Sequence, residues 1–135
     1  WPANPWTKAY LESSGTDTTH PVDWLSGSCL LIRTAAFRDV GGFDPEFFMF
    51  FEDTMFGEAI KAAGWVSVFV HNAVAIHDQG KSWRDRPAPM LRAHHKSAYT
   101  YLSRVYGGPV HAPLRLGIKA GLHARLALLL KLRKK

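Results

Sequence analysis

A helical pattern followed at once by a strand pattern occupies the middle of this 135-residue sequence. From Asp53 to Ala63, apolar side chains recur every three or four residues, which predicts a helix with one buried face. Gly64 supplies a C-terminal stop, and residues 65–70 (WVSVFV) have the β-branched character of a strand. A helix that leads directly into a strand indicates an α/β domain with helices packed on a sheet.

The remaining segments fit the same class. Residues 22–32 and 73–76 are strand-like, the first being interrupted by a polar turn at residues 26–28. A short helix is predicted over residues 34–40, with Thr34 as N-cap and a Gly41-Gly42 stop. The aromatic run at residues 47–51 should be largely buried. Two further helices are expected over residues 90–106 and 113–132.

Charge divides the chain into two parts. Residues 1–85 hold 6 Lys or Arg and all 11 Asp or Glu, whereas residues 86–135 hold 11 Lys or Arg and no acidic residue. Such a basic tail attracts phosphates, either of anionic lipid or of nucleic acid. Leucines interleave with the cations over residues 114–132, which favours a lipid surface over a nucleic-acid backbone. The single Cys29 excludes an intramolecular disulfide.

Two adjacent carboxylates, Glu52 and Asp53, stand where the central helix is predicted to begin. The helix dipole and the free amides of the first turn favour their ionised form, so Asp53 could accept a proton as a general base. Because neighbouring side chains point to different sides, we expect only one of the pair to face a substrate. The alternative is a simple helix cap, and His77, after the strand-like residues 73–76, could equally be an ordinary surface or core histidine.

Three motifs together resemble family 2 glycosyltransferases, the large group with the GT-A fold. They are GGFDPEFFMFFED at residues 41–53, AGW at residues 63–65 and HDQGKS at residues 77–82. The resemblance covers Asp23 to Ser82 and implies the acceptor-side, C-terminal part of a GT-A mixed-sheet domain. The nucleotide-binding half is then expected to be missing from the sequence, since the chain shows no D-x-D motif.

The resemblance implies a role for each matching residue. Asp53, with Glu52 beside it, corresponds to the family's catalytic base, and His77 to a histidine that helps hold a divalent cation (Mg or Mn) shared with a D-x-D motif outside this chain. The chemistry implied is single displacement with inversion at the sugar. Many relatives read E-D-x-D, but Met55 replaces the second Asp here.

Residues that contact donor or acceptor are also implied. The segment with Trp24, Ser26 and Gly27 resembles the one that lines the family's sugar pocket, although a glycine bulge beside a core Trp explains it equally well. A phosphate-bearing substrate suits the cationic and hydroxyl donors of a later loop, for which a solvated loop is the alternative. Those donors are Lys81, Ser82 and Arg84.

The sequence is also similar to a narrower group, the actinobacterial rhamnosyltransferases that extend polyprenyl-diphospho-N-acetylglucosamine. The matching segments are WPANPWT at residues 1–7, VDWLSGSCLL at 22–31 and AHHKSAYTYL at 93–102. This similarity implies dTDP-L-rhamnose as donor and a polyprenyl-diphosphate-linked sugar as acceptor, in cell-wall synthesis. We therefore expect residues 1–86 to form the acceptor-side half-domain and residues 87–135 a basic helical tail, peripheral at the cytoplasmic face of the plasma membrane.

Three other interpretations remain open from the sequence. The chain could be a non-catalytic membrane-docking module with a degenerate glycosyltransferase fold, or a family 2 enzyme with another donor sugar. A nucleic-acid-binding protein would also explain the basic charge. The helical setting of the aromatics in the tail argues against that, because stacking platforms for bases lie on sheet faces, and no nucleic-acid partner is expected.

Overall fold

The computed structural model describes residues 17–78 and 87–132. Within these ranges there are two strands, four α-helices and a short 3₁₀ turn. They follow in the order β1 (His20–Val22), α1 (Thr34–Asp39), α2 (Glu52–Ala62), β2 (Ser67–Phe69), α3 (Pro87–Val105), the 3₁₀ turn (Pro109–His111) and α4 (Ala112–Leu132). This mixture of helix and strand agrees with the predicted α/β class.

The two strands pair antiparallel, with Pro21 opposite Val68. The strand predicted over residues 22–32 is wrong, because β1 ends at Val22 and the following residues form turns up to α1. The segment 73–76 is likewise not a strand in the described structure, and Val74 and Ile76 are 85% and 100% exposed. An apolar pattern shows that a segment can pair, but pairing also needs a neighbouring strand edge.

A small apolar core joins α1 and α2. Ala36, Phe56 and Ile60 are its buried members, and four flanking side chains pack against them: Ile32, Phe37, Val40 and Trp65. The Trp65 indole N–H donates to Asp39 at 2.9 Å, which ties the end of α1 to the chain leaving α2. The periodicity predicted from residues 53–63 is therefore confirmed as the buried face of α2.

The glycines predicted to end α1 and α2 lie directly after these helices and have positive φ values. Gly42 has a φ of +78° and a side chain there would lie 2.9 Å from the Phe37 ring, so both conformation and space require glycine. Gly64 has a φ of +80° after the end of α2. Thr34, however, is the first helical residue, and Arg33 is the N-cap, without a side-chain capping bond.

The aromatic run before α2 is less buried than predicted. Phe47 is 4% exposed, but Phe48 is 80% exposed and the next three residues are not fully buried. Phe50 and Phe51 have φ values of +68° and +67°, in the left-handed region that non-glycine residues seldom adopt. The chain reverses sharply at this point, which is why consecutive aromatic side chains cannot all enter the core.

Helices α3 and α4 pack against each other and connect to the rest of the chain through α3. Arg115 closes the connection between them, donating to the carbonyl oxygens of Tyr106 and Gly108 at 2.6 and 2.7 Å. None of the helices in the described ranges combines the length and apolar character required to span a bilayer.

Candidate active site

The carboxylates of Glu52 and Asp53 occupy the first turn of α2. Asp53 is held from both sides: its Oδ2 accepts the Gly27 amide at 2.9 Å and its Oδ1 accepts the Thr54 amide at 2.8 Å. Each carboxylate oxygen keeps a lone pair for another donor. Asp53 is thus fixed in orientation and still able to accept a proton.

Glu52 lies against the same backbone as Asp53. A methyl group built on Gly27 would be 3.7 Å from Asp53 Oδ2 and 3.8 Å from Glu52 Oε1. The two side chains therefore do not diverge as expected for sequence neighbours, because both carboxylates approach Gly27. Which of them faces a substrate stays a prediction. The Glu52 Oε2 atom is buried and has no hydrogen-bond partner within the described structure. A buried acceptor of this kind is costly unless a donor reaches it.

The segment with Trp24, Ser26 and Gly27 crosses the start of α2, as a pocket-lining role requires. Ser26 shapes it: its carbonyl accepts the Cys29 amide at 3.5 Å and its hydroxyl contacts the Ser28 hydroxyl at 3.1 Å. Trp24 is 39% exposed, so it is not a core tryptophan.

Gly57 allows this segment to lie directly on α2. A side chain at position 57 would come within 2.5 Å of Trp24 Cβ and 2.8 Å of the Asp23 carbonyl oxygen. Real Cβ atoms do not approach that closely, so only glycine permits the contact. This close contact places the segment so that the Gly27 amide can donate its hydrogen bond to Asp53.

Strain is concentrated immediately before the carboxylates. Phe50 and Phe51 both adopt left-handed backbone conformations, each at a cost of about 1–3 kcal/mol for a non-glycine residue. Such conformations persist only where surrounding contacts fix them.

Helix α3 provides the contacts that hold the strained turn. Its Ser97 hydroxyl donates to the Met49 carbonyl at 2.8 Å, and Tyr101 stacks on Phe51 with ring centroids 5.2 Å apart. The His94 ring centroid lies 5.0 Å from that of Phe50 and 6.0 Å from that of Phe51. Burial lowers the pKa of His94, and electrostatic interactions with His95 and Arg125 lower it further.

Two further contacts extend this support. Tyr101 donates to Glu58 on α2 at 2.8 Å, and this hydrogen bond is the main reason that the pKa of Tyr101 is raised. Arg104 pairs with Asp44 at 2.6 Å and also with Glu46. These α3 residues were missed from the sequence, although polar side chains at positions 94, 97, 101 and 104 recur at three- and four-residue steps along one helix face.

His77 is placed differently from the carboxylates. It is exposed, follows a segment without regular structure, and none of the hydrogen bonds found among residues 17–78 joins it to Asp53. The described residues contain no cluster of three or more His, Cys, Asp or Glu that could hold a metal ion. They do not form a divalent-cation site by themselves, so the metal role of His77 stays a prediction. Lys81, Ser82 and Arg84 lie outside the described residues.

The family model described as "Glycosyltransferase like family 2" matches residues 7–94, which include the Gly27 segment, both carboxylates and His77. The chain belongs to this family. No solved structure gives a significant match.

Curated relatives of this family 2 chain are rhamnosyltransferases. It is 44% identical over 131 residues to the N-acetylglucosaminyl-diphospho-decaprenol L-rhamnosyltransferase of Mycobacterium tuberculosis, a match that covers 97% of this chain and 43% of that protein. It is 37% identical over 98 residues to rhamnosyltransferase WbbL of Escherichia coli K12, covering 73% of this chain and 36% of the relative. The chain thus spans less than half the length of the relatives it matches. The resemblance to actinobacterial rhamnosyltransferases is confirmed.

Proposed function

We propose that this chain is the acceptor-side, catalytic-base part of an inverting glycosyltransferase with the GT-A arrangement. Family membership supports the general activity. The names of the relatives support transfer of rhamnose, and one of them names a diphospho-decaprenol-linked N-acetylglucosamine acceptor. The donor that we propose is dTDP-L-rhamnose, and the acceptor is a polyprenyl-diphospho-N-acetylglucosamine. The observation that carries the proposal is Asp53, held by the Gly27 and Thr54 amides with a second carboxylate beside it.

In the proposed reaction, an acceptor hydroxyl donates a hydrogen bond to Asp53. As the hydroxyl oxygen attacks the anomeric carbon, its proton passes to Asp53 and the sugar–phosphate bond breaks on the opposite face, which inverts the configuration. The two amide donors keep the carboxylate oriented through this transfer.

The basic tail fits an acceptor that resides in a membrane. On α4, Leu116 and Leu128 are 69% and 56% exposed, and cations follow along the same helix. Leucines can enter the lipid interface while Lys and Arg reach the headgroups, each cation contributing on the order of 1 kcal/mol at an anionic surface. We therefore propose peripheral attachment at the cytoplasmic face, with residues 87–135 as the membrane-facing part.

Substitution of the base tests the function. In the intact protein, Asp53→Asn keeps the size of the side chain and one of the two amide contacts, since its single amide oxygen can accept from Gly27 or from Thr54 but not from both. It has no carboxylate to take the proton, so we expect kcat to fall by about 10²–10⁴. The KM for the nucleotide-sugar donor should stay within about twofold, since ground-state donor binding does not use this carboxylate. The assay follows transfer of labelled rhamnose to lipid-linked N-acetylglucosamine.

Asp39→Asn is the matched control, because the amide oxygen of the substituted side chain can still accept the Trp65 hydrogen bond at the end of α1. This variant should retain wild-type turnover. Normal turnover by Asp53→Asn would refute the base assignment, and loss of turnover in both variants would point to unfolding instead of chemistry.

A further inference from the structure

Helix α3 carries a serine whose hydroxyl bonds outside its own helix. Ser97 is 4% exposed and donates to the Met49 carbonyl oxygen at 2.8 Å. A serine inside a helix commonly donates to the carbonyl of the preceding turn of that helix. Here the bond instead joins α3 to the turn before α2, across 48 residues of sequence. This face of α3 therefore belongs to the candidate active site, although α3 lies in the part of the chain proposed to face the membrane.

The turn that receives this hydrogen bond leads directly into the carboxylate pair. Phe50 and Phe51 follow Met49, and both have left-handed backbone conformations, with φ values of +68° and +67°. Phe51 is also the N-cap of α2, and its carbonyl accepts the Met55 amide at 2.9 Å. N-cap residues usually have an extended conformation. The backbone at Phe51 therefore has a less strained alternative, in which α2 would begin in a different direction.

The Ser97 bond fixes the backbone of this turn, whereas the aromatic contacts from α3 hold its side chains. Tyr101 stacks on Phe51, and the His94 ring meets the Phe50 ring edge-on. A side chain can keep such a contact while the backbone behind it rotates, because the bonds between them are free to turn. The peptide group between Met49 and Phe50 is planar, so a bond to its oxygen fixes the whole plane. That plane adjoins the first of the two left-handed φ angles.

Relaxation of the turn would move Asp53 relative to its amide donor. The Gly27 segment is held by its contact with α2 at Gly57, one helical turn beyond Asp53. Asp53 itself lies in the first turn of α2, directly after the strained residues. A change at Phe51 therefore displaces the carboxylate while the Gly27 amide stays where Gly57 places it. A displacement of about 1 Å from the reactive geometry can lower a rate about 100-fold.

We propose that Ser97 is a positioning residue for sugar transfer, fixing the backbone of the turn that sets the Asp53 carboxylate against the Gly27 amide. The inference rests on the proposed function, in which Asp53 is the base. Ser97 lies outside residues 7–94, the range that matches the family model. Helix α3 then takes part in the transfer step as well as forming part of the membrane-facing region.

Steady-state kinetics of Ser97→Ala in the intact protein test this role. The substitution leaves the Met49 carbonyl without its donor, and we expect kcat for rhamnose transfer to fall about tenfold. The KM for the nucleotide-sugar donor should stay within about twofold, since Ser97 acts through the base. Ser103→Ala is the matched control on the same helix. Its hydroxyl is buried and has no hydrogen-bond partner within the described structure, so its loss should leave kcat unchanged.

Two further variants separate positioning from a loss of stability, which would also lower kcat. In an Asp53→Asn background, Ser97→Ala should lower the residual activity by less than about twofold, because no base remains to be positioned. Ser97→Cys keeps the size of the side chain and a weaker donor, so its kcat should lie between those of Ser97→Ala and the wild type. Thermal unfolding checks that each variant is folded at the assay temperature. If Ser97→Ala is not, Ser97→Cys with and without Asp53→Asn provides the same comparison.

The failure of this inference can be told apart from the failure of the proposed function. A wild-type kcat in folded Ser97→Ala would overturn the inference, as would a kcat of Ser97→Cys no higher than that of Ser97→Ala. So would a loss of the same size in the Asp53→Asn background, because Ser97 would then act on something other than the base. In each of these cases the base assignment would stand. Full activity of Asp53→Asn by itself would instead refute the proposed function.

Discussion

At the scale of single residues, the Asp53 carboxylate is oriented by hydrogen bonds from two backbone amides, one close in sequence and one distant. The Thr54 amide is local to α2, while the Gly27 amide comes from 26 residues earlier. The local contact is of the kind that the free amides at a helix start provide, which is what the position of the carboxylate pair led us to expect. The second depends on Gly57, which lets the Trp24 segment approach the helix, and nothing in the spacing of the carboxylates indicated that.

His94 gives a residue-scale prediction about pH. Its pKa in the folded protein is lowered below the ordinary value of 6.5, chiefly by burial. Between the two pKa values the unfolded chain binds more protons, so stability should be complete above about pH 6.5 and fall as the pH drops toward the folded-state pKa. Thermal unfolding midpoints between about pH 7.5 and 5 should show this fall, and His94→Gln should reduce it.

The exposed His71 provides the comparison for that measurement. His71→Gln should retain the wild-type dependence on pH. An undiminished fall in His94→Gln would show that another group is responsible.

At the scale of elements, α2 and α3 act together to form the site. The sequence predicted α2 within one residue at each end, because its periodicity and its glycine stop are local signals. It did not predict that α3 would hold the turn before α2, since Ser97 and Met49 are 48 residues apart in sequence. Phe50 and Phe51 adopt left-handed conformations for this reason and not because of their own preferences.

Alanine substitutions at two helical glycines distinguish the effect of helix propensity on stability from the effect of side-chain packing. Alanine favours a helix over glycine by about 1 kcal/mol, so Gly121→Ala, which meets open space, should raise the free energy of unfolding by up to that amount. Gly57→Ala should lower it by about 1–3 kcal/mol, because the new methyl group would displace the Trp24 segment. Chemical denaturation of both variants measures the difference.

The same displacement should reduce transfer activity in Gly57→Ala, since the Gly27 amide would move away from Asp53. Gly121→Ala should keep full activity. Equal stabilisation by the two substitutions would contradict the close approach at position 57.

At the scale of the whole molecule, Arg104 links the helical tail to the turn after α1. It pairs with Asp44 and Glu46, and its guanidinium lies 5.1 Å from the centroid of the Phe47 ring. Its hydrogen bond is the largest reason that the pKa of Asp44 is lowered. The stability from this pairing should be present above the ordinary aspartate pKa of 3.8 and be lost as the pH falls through the lower folded-state value.

Arg104→Gln should therefore lower the free energy of unfolding by about 0.5–1 kcal/mol at pH 7, a modest value because the groups are partly exposed. It should also reduce the extra loss of stability in acid. Lys61→Gln is the matched control: its pair with Asp23 is 72% and 80% exposed, and no resolvable change is expected. Urea unfolding at about pH 7 and pH 3 tests both variants, and equal losses at the higher pH would contradict a special role for Arg104.

What the sequence determined by itself was local or compositional. It predicted the α/β class, α2 with a carboxylate pair at its start, the final two helices, and the accumulation of cations after residue 85. Each of these features follows from hydrophobic periodicity, helix-end residues or charge, which depend only on residues close together in the sequence.

Only the tertiary structure decided which segments pair and which side chains meet. Residues 23–32 form no strand beyond Val22 despite their apolar pattern, and both Glu52 and Asp53 approach Gly27 instead of diverging. The role of α3 in holding the left-handed turn was also hidden, because that turn requires a second helix to be in place. Such features depend on contacts between residues far apart in the chain, and the pattern of one segment does not specify its neighbours in space.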